Sequence, residues 1–128
     1  MKASTREWVD KAEEDYALAV SLTRPRKKPL WGPLAFHAQQ CVEKYLKARI
    51  NEAGSAIQKT HDLAKLLPAV ISVEPLWATY LQAFQQLTAY AVDARYPGVS
   101  LTKTAALAAV KTARAFRREA RASLGLKP

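Results

Sequence analysis

The sequence predicts an all-α protein, a compact bundle of four main helices plus a shorter one. Three observations predict it. Apolar residues recur at three- and four-residue spacings through nearly every segment, the period of a helix face. No stretch alternates apolar and polar residues as a half-buried strand does. Most prolines and glycines fall between the periodic stretches, where they end helices and form loops.

Each element follows from local signals. The first helix is expected to start at Ser4, whose spacing to Glu7 is that of a capping box. Trp8, Ala12, Tyr16, Ala19 and Leu22 form its expected buried face, and Arg24-Pro25 stops it near Thr23. RPRKKPLWGP, residues 24–33, reads as a basic, proline-punctuated loop. The second helix is expected from Leu34 to Ala53, ended by Gly54. Leu34, Ala38, Cys41, Tyr45 and Ala48 form one apolar ridge, which Val42, Leu46 and Ile50 widen into a stripe buried on two sides. Thr60-His61-Asp62 reads as the N-terminus of a short helix through Ile71. Pro75 opens a fourth helix to about Tyr90, with Leu76, Tyr80, Ala83, Leu87 and Tyr90 inward. The last helix is expected from Thr102 to Leu124. Its alanine-rich edge (Ala105, Ala109, Ala113, Phe116, Ala120) faces away from a basic stripe of Lys103, Lys111, Arg114, Arg118 and Arg121.

A chain of 128 residues fits one domain, residues 1–128, with a core of useful size. No apolar run approaches the roughly 20 residues a membrane span needs, and the start has no apolar stretch like a signal peptide. One cysteine excludes an internal disulfide and makes a reducing cytoplasm the expected location. With only two histidines beside it, a usual zinc site is not expected either. The net charge is +9, unevenly spread. Residues 1–23 hold Lys2, Arg6 and Lys11 against Glu7, Asp10, Glu13, Glu14 and Asp15, a net of −2, which leaves +11 on the other 105 residues. Such a field attracts polyanions or acidic surfaces, and it also serves plain solubility.

Chemistry concentrates in three places. His37, Gln40, Lys44 and Lys47 share one polar ridge of the second helix, able to hold phosphate oxygens or to be a solvated face with interhelical hydrogen bonds. Glu43 and Lys47 are spaced for an i,i+4 pair. At Thr60-His61-Asp62 a helix start offers free N–H groups, but Asp62 competes with any anion, so capping by Asp62 is the better expectation. At Asp93-Ala-Arg95-Tyr96-Pro97 the arginine could fork onto phosphate, or pin the bundle by pairing with Asp93 or Glu43. No glycine-rich phosphate loop is present, and Cys41, on an apolar ridge, reads as a buried inert thiol.

AFHAQQCVEKYLKARI at 35–50, THDLAKLL at 60–67 and YAVDARYP at 90–97 together resemble the HEPN family, over about residues 5–120. The resemblance implies an up-and-down helical bundle, usually paired as a homodimer. Many such proteins work with a minimal nucleotidyltransferase as a two-component, often toxin–antitoxin, system. Others are metal-independent ribonucleases that place a histidine four to six residues after an arginine. This sequence departs from the ribonuclease pattern, because Tyr-Pro-Gly-Val-Ser-Leu-Thr-Lys follows Arg95. The expectation is therefore a binding module for nucleotide or RNA phosphates, with no catalytic residue, metal or cofactor assigned. His37, Gln40, Lys44, Lys47, His61, Arg95 and Tyr96 are its candidate ligand contacts.

Overall fold

The computed structural model describes residues 1–128, and it is all-helical. Helix α1 spans Ala3–Ser21, α2 Trp31–Glu52, α3 Leu63–Leu66, α4 Pro68–Ile71, α5 Leu81–Asp93 and α6 Lys103–Ser123, with a 3₁₀ segment over Pro75–Tyr80 leading into α5. The four long helices and their order are those the periodicity predicts. No helix is long and apolar enough to cross a membrane.

Helix α2 is the axis of the bundle. Its two apolar ridges, from Leu34 to Ile50, are covered by α1, α5 and α6 within the one chain. Helix α1 runs antiparallel to it: the Lys2 N–H and the Thr5 hydroxyl donate to Glu52 at one end, while Asp15 meets His37 toward the other. Helix α6 runs parallel, since Leu34 packs with Ala106 and Val110 and Arg49 reaches Ser123. Phe116 sits edge-on to Trp77 and Phe84 at 4.8 and 5.0 Å, closing the core between α6 and the 3₁₀–α5 arm.

Several expectations need correction. Helix α1 begins at Ala3, and Ser4 is not its cap; its hydroxyl accepts from the Asn51 amide at 2.8 Å. The N–H of the actual N-cap, Lys2, is satisfied across the bundle by Glu52. Val9 and Asp15 are on the buried face of α1, with Trp8 and Tyr16 half-buried at its flanks. Helix α2 starts three residues early because Pro33 in its first turn gives up no hydrogen bond. Its end matches: Gly54 takes φ +79°, the Gly54 N–H bonds Asn51 O and the Ser55 N–H bonds Ile50 O, a Schellman closure.

The expected short helix is split at Leu67, since Pro68 has no N–H to continue α3. The segment from Pro75 begins as a 3₁₀ helix, with three residues per turn, so the inward face is shifted. Trp77 is buried and Leu76 is 80% exposed, the reverse of the α-helical expectation. In α6, Ala106 and Val110 join the buried alanine edge. Arg121 leaves the basic stripe: its guanidinium turns inward to the Tyr45 hydroxyl at 3.1 Å. The apolar ridges of α2 and Trp77 are buried within the one chain, whereas Tyr96 is 61% exposed.

Candidate functional site

A groove of about 410 Å³ opens between the first half of α2, the His61-Asp62 turn and the last turns of α5. Phe36, Gln40, His61, Asp62 and Arg95 supply its chemistry, and Thr88, Ala91 and Val92 its far wall. A groove of equal volume runs between residues 79–90 and 108–112, but only amides, hydroxyls, an aromatic ring and apolar side chains line it. Charge therefore selects the first.

Each side chain there is positioned by a traceable contact. Asp62 caps α3, accepting the Ala64 N–H at 3.0 Å, as expected. That cap fixes the turn carrying His61, and Gln39 holds it further by donating to the His61 carbonyl at 2.8 Å. The His61 ring is then oriented by Glu43, with Nδ1 to Oε1 at 2.9 Å. A carboxylate only accepts, so Nδ1 carries a proton and Nε2 is the ring nitrogen that Glu43 leaves unengaged. The other Glu43 oxygen takes Lys47 at 3.1 Å, the predicted i,i+4 pair. A matching unit stands on the α1 side: His37 Nδ1 lies 2.8 Å from Asp15 Oδ1, and Lys44 holds Asp15 Oδ2.

Arg95 pairs with neither Asp93 nor Glu43. Its guanidinium lies over the Phe36 ring, 5.9 Å from the centroid, and remains exposed with no carboxylate partner. A smaller groove of about 240 Å³ adjoins on the other side of this Arg95–Phe36 pair and is lined by His37. The structure thus brings Gln40, His61 and Arg95 together, with His37 next door. Lys44 and Lys47 line neither groove, their charges being spent on carboxylates; Lys47 also lies 5.6 Å over the Trp8 ring. Tyr96 is 61% exposed and lines neither groove.

Sequence reasoning missed Phe36, Gln39 and Asp15 as positioning groups. Asp15 had a signal: an acid between Ala12 and Ala19 on an apolar face needs a partner from the next helix. Cys41 is the buried thiol expected, and burial, aided by the Glu13 and Asp15 charges, pushes its pKa far above the usual range.

The family model of the HEPN domain matches residues 5–123, nearly the whole chain. The chain belongs to the HEPN domain family. No curated protein and no solved structure matches it significantly. Within the HEPN domain, the motifs at 35–50, 60–67 and 90–97 converge: each gives at least one residue to the larger groove. Membership makes the chain a nucleotide- or RNA-related module.

Proposed function

We propose that this HEPN domain binds nucleotide or RNA phosphates in the Arg95 groove and works with a minimal nucleotidyltransferase as a two-component, toxin–antitoxin-like system. The observation that carries the binding role is Arg95. It is the one cation lining that groove, it is exposed, and no carboxylate neutralises it. Its planar fork matches two phosphate oxygens. Gln40 and His61 add polar contacts, and His37 contacts the ligand from the adjoining groove. Lys44 and Lys47 act indirectly, holding the carboxylates that orient the two imidazoles. Tyr96 offers a ring for stacking beside Arg95. The active form is a homodimer: Leu76, with Val73 and Leu81 nearby in sequence, is apolar surface that a second copy would cover.

A metal-independent ribonuclease is the competing reading, favoured by one observation, the free Nε2 of an imidazole held by buried Glu43. Purified protein titrated with AMP and incubated with cellular RNA in EDTA separates the two. Binding that Arg95→Ala weakens about tenfold or more, without cleavage, is the expected result. Cleavage that His61→Ala abolishes while the fold persists would replace it. Co-purification with an adjacent nucleotidyltransferase tests the partner, and light scattering at twice the chain mass tests the homodimer.

A further inference from the structure

We propose that the HEPN domain carries an extended path for single-stranded nucleic acid, running from the His61 groove past Arg95 to the basic loop at residues 24–28. The inference rests on the phosphate-binding role of Arg95 and extends it over a second surface. Three grooves are contiguous. The His61 groove and the His37 groove share Phe36 and Arg95. The His37 groove in turn shares Gly32 and Ala94 with a third, of about 290 Å³, lined by Pro29, Trp31 and Val99.

Pro29, which lines the third groove, follows Arg24-Pro25-Arg26-Lys27-Lys28 directly in the chain. All four of these cations are exposed, and none makes an ion pair or a side-chain hydrogen bond. That distinguishes them from Lys44, Lys47, Arg117 and Arg121, which are all held by carboxylates. Pro25 within the cluster and Pro29 directly after it stiffen the loop, so less order is lost on binding.

The lining favours a single strand over a duplex or an acidic protein. Grooves bordered by Trp31 and Phe36, with exposed Tyr96 on the loop after α5, suit unstacked bases, whose faces a duplex hides. Beside α6, Arg117 already stacks on the Tyr16 ring, and no cation lines the groove at Ala108 and Thr112.

The test uses the full chain, a fluorescent 20-nucleotide single-stranded RNA of mixed sequence, its duplex, AMP and poly-glutamate. The single strand is expected to bind best, with log affinity falling steeply with log salt. Changing Arg24, Arg26, Lys27 and Lys28 together to Gln in this exposed loop should flatten that slope by about 2 to 3, at about 0.7 for each phosphate released. AMP binding should not change in that variant. Tyr96→Ala should weaken the single strand about fivefold or more. An unchanged slope with Arg95-dependent AMP binding intact would overturn the path while leaving the groove's role standing. Loss of AMP binding to the wild type would strike the groove itself. Equal binding of duplex, or equal displacement by poly-glutamate, would also overturn the path.

Discussion

His61 and Glu43 meet at 2.9 Å, Nδ1 to Oε1, with the imidazole side chain 72% exposed and the carboxylate 3% exposed. The pair is therefore asymmetric in what each member supports. His61→Ala removes one hydrogen bond from a carboxylate that Lys47 still neutralises, so it is expected to cost about 1 kcal/mol. Glu43→Ala strands the buried Lys47 ammonium without a counter-charge, at a cost of about 3 kcal/mol. Urea unfolding should separate the two, and AMP titration should show weakening in both.

A second cluster locks α6 onto α1 and α2. Arg117 donates two hydrogen bonds of 2.7 Å to Glu13, and Tyr45 donates to the same carboxylate. Arg117 also stacks 4.5 Å from the Tyr16 ring centre. Burial raises the Glu13 pKa, but the hydrogen bonds from Arg117 and Tyr45 and the charges of Arg117 and Arg121 outweigh it. The net is a value below the usual carboxylate range. A lowered folded-state pKa gives stability that is present above the usual range and lost as pH falls through the lowered value. Melting temperature should drop on acidification from about pH 5. Glu13→Gln should start lower at pH 7, by about 2 kcal/mol, and show a shallower acid limb. An acid limb as steep as wild type would assign the acid sensitivity to other carboxylates.

The 3₁₀ segment makes a sharp stability contrast between adjacent residues. Leu76→Lys touches a side chain already in water and is expected to be near neutral in a monomer. Trp77→Ala empties the site against Phe116 and should cost about 3–5 kcal/mol. A helix with its α period running from Pro75 would give the opposite order in guanidinium unfolding.

Legibility followed periodicity. Helices α1, α2, α5 and α6 were readable because their apolar faces repeat at 3.6 residues over many turns. The register from Pro75 was not, since a 3₁₀ turn and an α turn share the same proline signal and differ only in which of Leu76 and Trp77 finds the core. Ser4 misled for a similar reason: a capping box is local, and Asn51 is 47 residues away. In the site, Arg95, His61 and Gln40 were readable as polar residues within compact motifs. That Lys44 and Lys47 are neutralised was less so, because Asp15 and the buried placing of Glu43 depend on how α1 and the His61 turn pack on α2. The adjacency of the two smaller grooves depends on Gly32 meeting Ala94, residues far apart in sequence that line both.

That contact gives the last prediction. A Cβ on Gly32 would lie 3.6 Å from the Ala94 Cβ and carbonyl oxygen, ordinary van der Waals distance, and Gly32 does not need a positive φ. Gly32→Ala is therefore expected to fold normally and to gain a few tenths of a kcal/mol from the stiffer first turn of α2. Gly32→Leu has no such room: its branched end must displace Ala94 or project into the two smaller grooves that Gly32 lines. Arg95 follows Ala94 directly, so the displacement moves the guanidinium off Phe36 as well. Circular dichroism should show helix content unchanged in both variants. Affinity for single-stranded RNA should be kept in the alanine variant and fall about tenfold in the leucine variant. If leucine binds as well as glycine, the 32–94 contact is packing alone and the grooves do not act as one path.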